Sequence, residues 1–391
     1  MPAEWADEQI DAGASPIEAR AAAFTALQTR AANRPQIRVT RSHDDPATIQ
    51  RRASDALTFR AIGGKLAPEA AEYQHLSLLD HARAALDRAG ISHRGMSNDE
   101  VLHRSLTTSD FPLVVGNVAG KVAGDAYEAA QSALRPLFRA KTLPDFKPSQ
   151  SVRLTEVGRL EEITEAGEFT NTSRGEAGEG LQLRTFGKRL DLSRKLIIND
   201  DLGLFADTTA ALGRAAAMTE ADAFAELLTG SQALSDGLPL FHASRENTTE
   251  AGGALSIEML SDLRLALRQQ KLDDGVTPLS VEPRFLVVSP ADETAAEQIL
   301  AEVRAEAPFQ VNPFSGKLQL LVEPRLAPGF VYLIGNPASV PIFNVAYLAS
   351  ARGPQIQRME AWDTLGVSFR VWLDFGVGFA GWRGIVRAAT E

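Results

Sequence analysis

The chain has no cysteine among its 391 residues. That excludes disulfides, thiolate nucleophiles, Cys-based zinc sites and iron–sulfur clusters. Histidine is scarce as well. His43, His75, His81, His93, His103 and His242 are the full set, and no two stand at the His-x-x-x-His spacing that puts two metal ligands on one helix face. A basic excess is missing: 40 Lys and Arg face 50 Asp and Glu, a net charge of −10, which is not the footprint of a generic nucleic-acid binder. No run of eighteen apolar residues occurs, so no transmembrane helix is expected. The acidic opening MPAEWADEQID lacks a basic segment followed by an apolar one, so no signal peptide is expected. There is no Gly-x-Ser-x-Gly nucleophile elbow and no Gly-x-Gly-x-x-Gly after a strand.

What remains is ordinary globular material, 44% hydrophobic and 23% charged, long enough for two domains or one domain with extensions. Of the basic residues 32 are Arg and 8 are Lys. Forked guanidinium groups suit protein–protein contacts, and an Arg-rich codon usage would give the same count.

Residues 1–110 read as a helix-rich extension. Ser15-Pro16-Ile17-Glu18 is a helix start, followed by Ile17, Ala21, Phe24 and Leu27 at helical spacing. Residues 31–46, with Pro35 and Pro46, read as a linker. Leu76, Leu78, Leu79, Ala82 and Leu86 suggest a second helix, and Ser97-Asn98-Asp99-Glu100 is a capping box opening a third through Leu106. The stripes are narrow, so these helices are expected to pack weakly or only against partners. A further helix is expected from about Pro112 to Leu134, with Pro136, Pro144 and Pro148 breaking regular structure after it. Asp200 to Leu228 predicts one long helix stopped at Gly230. Ser256 and Ser289-Pro290 open two more, the second with a capping box. Strands are expected at Arg284–Val288, Lys317–Val322 and Phe330–Gly335. The last strand is the plainest: Val367, Phe369, Val371, Leu373, Phe375, Val377 and Phe379 alternate with Ser368, Arg370, Trp372, Asp374, Gly376 and Gly378.

Between Ser149 and Leu238 there is no proline. Two β-like runs, with Val152, Leu154 and Val157 on the first and Leu181, Leu183, Leu190 and Leu192 on the second, flank the glycine-rich EAGEFTNTSRGEAGEG. This predicts a long β-hairpin arm with too few apolar residues to fold alone. Its charges are segregated. Seven Glu, at 156, 161, 162, 165, 168, 176 and 179, stand against Arg159 and Arg174. On the return Arg184, Lys188, Arg189, Arg194 and Lys195 stand against Asp191. Segregated charge suits docking in fixed register on a neighbour; a solvated loop is the alternative. The subunit-interface candidates are therefore Glu161, Glu162, Glu165, Glu168, Arg184, Lys188, Arg189 and Arg194.

Signs of catalysis are thin. Gly116 to Lys121 is one residue short of a phosphate loop, and Val122 replaces the magnesium-binding Ser or Thr, so it reads as helix interior. His242 beside Ser244 and Glu246 is a tempting hydrolytic set, but reads better as a structural hydrogen bond in a loop. Asp273-Asp274-Gly275 reads as a turn rather than a cation site. Trp362, Trp372 and Trp382 read as core or subunit interface rather than a ligand box. No catalytic residue, cofactor or metal is assigned.

The order of these elements resembles the major capsid proteins of tailed bacteriophages with the Hong Kong-97 type fold, above all Mu-like major head subunits and the capsid portion of prohead protease–capsid fusions. The likeness is carried by PAEWADEQIDAGASPIEARAAAFTALQT (2–29), SHDDPATIQRR (42–52), GISHRGMSNDE (90–100), TTSDFP (107–112), FHASRENT (241–248) and PRFLVVSPADETAAEQIL (283–300). The resemblance implies an α+β fold and a shell-building subunit rather than an enzyme. Residues 1–110 would be a helical scaffold-like region or linker open to cleavage, 111–150 an N-terminal arm, and 151–195 the extended hairpin loop. Residues 196–254 would form a peripheral domain with a spine helix, 255–365 an axial domain, and 366–391 the long strand returning to the peripheral domain. The implied partners are further copies of the chain in pentamers and hexamers, a prohead protease, a portal, a cement protein and DNA held through non-specific contacts, with no membrane. The implied place is the virion, assembled in the host bacterial cytoplasm. The alternatives are an encapsulin-like nanocompartment shell and a cysteine-free hydrolase using His242.

Overall fold

The computed structural model describes residues 11, 45–108, 110–154, 176–193, 199–200, 202–230, 232–249, 252–272, 275–301, 314, 316–360 and 366–390. Two units are distinguished, Met1–Ile49 and Gln50–Glu391, and both main sheets belong to the second. The Ser15-Pro16 helix start lies outside the described residues.

The longest strand organises the first sheet. Strand β11 (Gly366–Phe379) pairs antiparallel with β4 (Arg184–Ser193) along one edge, from Gly366↔Ser193 to Phe375↔Arg184. Along the other it meets β10 (Gln355–Glu360) and then β9 (Phe343–Leu348), which runs parallel to β1 (Phe138–Leu143). The period-two reading holds: Phe369, Val371, Leu373, Phe375 and Phe379 are all at most 4% exposed. On the alternate face Arg370 is exposed, but Ser368 and Asp374 are buried, and Asp374 accepts from Thr185 Oγ1 at 2.5 Å.

The second sheet orders as β5 (Thr248–Thr249), β12 (Ile385–Ala389), β8 (Phe330–Gly335), β6 (Pro283–Val288), β7 (Gln319–Val322). Its central strands β12, β8 and β6 are buried on both faces. Phe285, Val287, Tyr332, Ile334 and Ile385 join one core; Leu286, Val288, Val331, Leu333 and Val386 join another, under helix Ile257–Gln269. Burial on both faces explains why these segments read as unbroken apolar runs. Strands β9 and β10, at 343–348 and 355–360, belong to the first sheet, and β12, after the long strand, belongs to the second.

Helices surround the two sheets. In chain order they are α1 (Pro46–Ile62), α2 (Leu78–Arg88), α3 (Asn98–Leu106), α4 (Asp110–Ala129), α5 (Leu202–Thr229), α6 (Ile257–Gln269) and α7 (Glu293–Leu300). The capping box at Ser97 forms as read: Ser97 Oγ accepts from Glu100 N–H, and Glu100 Oε2 accepts from Ser97 N–H at 2.8 Å. Ser77 and Asp80 form a second one that sequence reading missed. The one expected at Ser289 does not form; Pro290–Asp292 is a 3-10 turn whose Ser289 hydroxyl goes to Asp292 instead. The long helix ends as expected, with Gly230 at φ +74°.

One expectation is corrected. The helices before residue 110 do not pack weakly. Leu57, Leu79, Leu86 and Leu102 share one core with Phe111, Val114 and Val118 of α4, with Leu202 and Phe205 of α5, and with Phe369 of β11. The reason is additive: several narrow stripes face one another, so each covers what its neighbour leaves open. The helix expected from about Pro112 to Leu134 is present, at Asp110–Ala129, laid against α5, and 138–143 is a strand of the first sheet.

A buried polar knot fixes α5 to its surroundings. Glu220 accepts from Arg135 Nη1 at 2.8 Å and from the hydroxyls of Tyr127 and Tyr347. Burial first, and then the Glu220 charge, push both phenol pKa values upward. Glu323, 1% exposed, likewise accepts from Ser132 Oγ at 2.8 Å and Arg325 Nη1 at 3.0 Å.

Helices α4 and α5 come into close backbone contact at Gly213, where an added Cβ would stand 2.1 Å from the Ala123 carbonyl oxygen. Gly to Ala inside a helix ordinarily gains up to about 1 kcal/mol. Here Gly213→Ala is expected to destabilise by about 1–3 kcal/mol, since the helices must part. Thermal unfolding decides it by sign, and a raised midpoint would contradict this crossing.

His81 predicts an acid response. It is 4% exposed, stacked at 6.2 Å on Tyr73, and its Nε2 has no hydrogen-bond partner. Burial, then the charges of Arg60 and Arg88, lower its pKa from 6.5 to about 4 against the opposing pull of Asp80 and Asp200. The unfolded chain therefore takes up this proton first as pH falls. Stability is full above about 6.5 and declines toward pH 4 by up to about 3 kcal/mol. Denaturant midpoints at pH 7.5 and 5 should converge in His81→Gln relative to the parent; an unchanged pH slope would remove His81 from the acid response.

Candidate subunit interface

The hairpin exists at its base, but not in the expected pairing. Strand β2 (Ser149–Leu154) pairs with β3 (Glu176–Leu181), from Ser149↔Leu181 to Leu154↔Glu176. The second run breaks at Gln182-Leu183, and β4 leaves the hairpin to pair with β11. Two glycines of β11 explain the break. A Cβ on Gly376 would stand 2.0 Å from the Gln182 carbonyl oxygen, and one on Gly378 would stand 2.7 Å from that of Gly180. The backbone of 180–182 thus crosses β11 in contact with it, where only glycine leaves room.

The base is fastened. Glu179, 8% exposed, accepts from Ser235 N–H at 3.0 Å and from Ser235 Oγ at 2.8 Å. Leu181 and Leu183 bury against Ala346, and Gln182 Nε2 donates to the Phe146 carbonyl at 3.2 Å.

Of the interface candidates, Arg184, Lys188 and Arg189 are exposed on β4. Glu161, Glu162, Glu165, Glu168 and Arg194 lie outside the described residues, as do Val157, Trp362, Asp273 and Asp274. The basic residues do not form one strip. Register puts Arg184 and Lys188 opposite Phe375 and Val371, and Arg189 one step out of phase, opposite Arg370. Arg189 Nη2 donates to Ser368 Oγ at 3.2 Å, while Arg370 lies 5.4 Å over the Trp372 ring and donates to Gln357.

Sequence reading missed the groove beside them. Phe186, 38% exposed and 4.9 Å from the Phe375 ring, lines it with Lys188, Leu212, Thr219 and Trp372, between β4 and α5, over about 190 Å³. Gly187 stands opposite Trp372, where a Cβ would meet the Val371 carbonyl oxygen at 3.2 Å. Among the described residues β4 has β11 as its only strand partner. It is therefore a ten-residue edge strand carrying cations, the arrangement by which sheets discourage indiscriminate pairing while staying able to accept a chosen one. The signal that could have found it is the charge reversal already visible at residue 184.

The tempting catalytic residues fall elsewhere. His242 Nδ1 accepts from Ser244 N–H at 3.2 Å and sits 2.8 Å from Ser244 Oγ, within a 3-10 turn. Around it Arg245 Nη2 reaches both Asp236 oxygens at 2.7 and 2.6 Å, and the fully buried Asn247 donates to the Leu240 carbonyl at 2.8 Å. The loop is held as a structural knot, and Arg245 and Arg383 both lie over the Trp382 ring, at 5.5 and 4.4 Å. Gly116 to Lys121 is helix interior, with Lys121 paired to Asp55. Among the described residues no group of three His, Asp or Glu could hold a metal ion, and no helix is long and apolar enough to cross a membrane.

Several solved structures are similar to this one. The capsid of Cyanophage P-SCSP1u is similar at 10% identity, over 66% of this chain and 88% of that one, with a TM-score of 0.45. The procapsid of bacteriophage JBD30 is similar at 15% identity, over 70% and 73%, with a TM-score of 0.39. An encapsulin complex from Synechococcus elongatus is similar at 10% identity, over 67% and 88%, with a TM-score of 0.42. No curated protein matches the chain. A model of the family described as phage capsid protein matches residues 177–388, a span that runs from β3 through β4 and α5 to β12 and holds every strand of the two main sheets except β1. That span is more than half of the sequence, and the chain belongs to the phage capsid protein family.

Proposed function

We propose that the chain is the major capsid subunit of a tailed phage, with the Hong Kong-97 type architecture, and that its copies close into an icosahedral shell of pentamers and hexamers around double-stranded DNA. The family match over residues 177–388 carries this reading. The fastened hairpin base and the cationic edge strand β4 support it, because a strand edge open to a neighbour beside a fixed hairpin root is what a head-to-tail contact needs. In this reading the acidic run Glu161, Glu162, Glu165 and Glu168 of one copy meets Arg184, Lys188, Arg189 and Arg194 of the next. The net charge of −10 keeps DNA contacts weak and non-specific. No turnover belongs to the protein. A prohead protease, a portal and a cement protein are its remaining partners, and assembly takes place in the host bacterial cytoplasm before the subunit resides in the virion.

Sedimentation of the purified chain tests the reading. Large particles with nuclease-protected DNA in the producing cell are expected. Particles filled with a protein cargo would mark a nanocompartment shell instead, and a small soluble oligomer would contradict both. Reversing Glu161, Glu162, Glu165 and Glu168 to Lys should leave circular dichroism unchanged and abolish particles. Salt should slow assembly of the parent, since exposed charges are screened beyond about 8–10 Å near physiological ionic strength. Normal particles from the reversed variant would remove these charges from assembly.

A further inference from the structure

The helices α1 to α4 lie outside the span that the family describes, yet they share a core with it. Phe111, Val114, Val118, Leu202, Phe205 and Phe369 are each at most 6% exposed, and they share that burial with Leu57, Leu79, Leu86 and Leu102. Two of the dependent residues open the long helix α5, and one sits in β11, so the helices cover the matched region and not merely each other. Polar contacts tie the same seam. Ser54 Oγ donates to the Gln50 and Val114 carbonyls at 2.7 and 3.3 Å, and Asp110 accepts from Gln50 Nε2 at 3.1 Å and Arg88 Nε at 2.9 Å.

The strongest tie is Asp200, two residues before α5. Its backbone is left-handed, φ +53°, a conformation that costs most residues and that Asp and Asn tolerate best. Held there, its carboxylate accepts from Arg60 Nη2 at 2.7 Å and from the backbone N–H of Leu78, at the first turn of α2, also at 2.7 Å. Arg60 in turn donates to the Leu76 carbonyl. One side chain thus joins α1, α2 and the start of α5.

We propose that residues 50–106 are a permanent part of the capsid subunit, clamped to the start of α5 by Asp200, and not a removable segment. Any shortening of the subunit that leaves it folded takes chain only from before Pro46. Removing residues up to 106 would uncover the apolar faces of α4 and α5 together with Phe369, a contiguous surface of the kind that drives aggregation.

The test compares chains beginning at residue 46 and at residue 110, together with Asp200→Asn and Asp200→Ala in the full chain. The chain from 46 should stay soluble with the parent's thermal midpoint, and the chain from 110 should be lost to the pellet. Asp200→Ala should speed amide exchange at Leu78 and through the first turn of α5 by about tenfold or more, with Asp200→Asn intermediate because it keeps an acceptor and tolerates the left-handed backbone. A chain from 110 that is soluble with the parent's midpoint, or parental exchange in both Asp200 variants, would overturn the proposal. These readouts need no particle, so they stand apart from the shell reading. Within particles, an intact mass that retains residues 50–106 supports retention, and subunits beginning between 50 and 112 refute it.

Discussion

The structure depends on one constraint: strand β11 must be paired on both edges and packed on both faces at once. Its fourteen residues meet β4 on one side and β10 and β9 on the other. One face supplies Phe369 to the helical core, and Leu373, Phe375 and Phe379 to the central core. The other face supplies the glycines over which the hairpin root crosses. A change in its register would disturb two cores and the hairpin together, because a one-residue slip turns every side chain to the opposite face. The helices α4 and α5, locked by Gly213 and by the Glu220 knot, hold the two cores side by side.

Much of this was legible in the sequence where the signal is local. The alternation of β11, the run of α5 and its stop at Gly230, and the capping box at Ser97 are each set by neighbouring residues. What was not legible depends on distant ones. Helix α1 begins where the expected linker 31–46 ends and gives no sequence signal of its own, because PATIQRRASDALTFRAI has no clean apolar stripe and buries mostly alanine, serine and Leu57. Strand β1 lies between prolines that looked like breakers, and pairs with β9 some two hundred residues later. The hairpin's second run looked continuous from Leu181 to Leu192, since nothing there shows that Gly376 and Gly378 receive the backbone of 180–182. Narrow stripes suggested weak packing because each helix was weighed alone.

The candidate interface was half legible. Charge reversal after Gly180 marked β4 as special, but the alternation of a strand splits Arg184 and Lys188 from Arg189, and the register that does so is set by β11. The groove of Phe186 and Trp372 joins segments nearly two hundred residues apart, and no spacing rule could assemble it. The proposed function would account for such a surface. A shell subunit must be folded and soluble alone, yet present an edge that one particular neighbour completes, and a cationic edge beside a small apolar groove meets both demands.

An electron cryo-microscopy map of particles built from this chain is the most direct test of shell formation through β4. The expected map shows a closed shell in which the hairpin of one subunit lies along β4 and the Phe186–Trp372 groove of the next, with α1 to α3 seated on α4 and α5 in every copy. A shell whose hairpins fold back on their own subunits, or a chain that forms no closed particle, would contradict it.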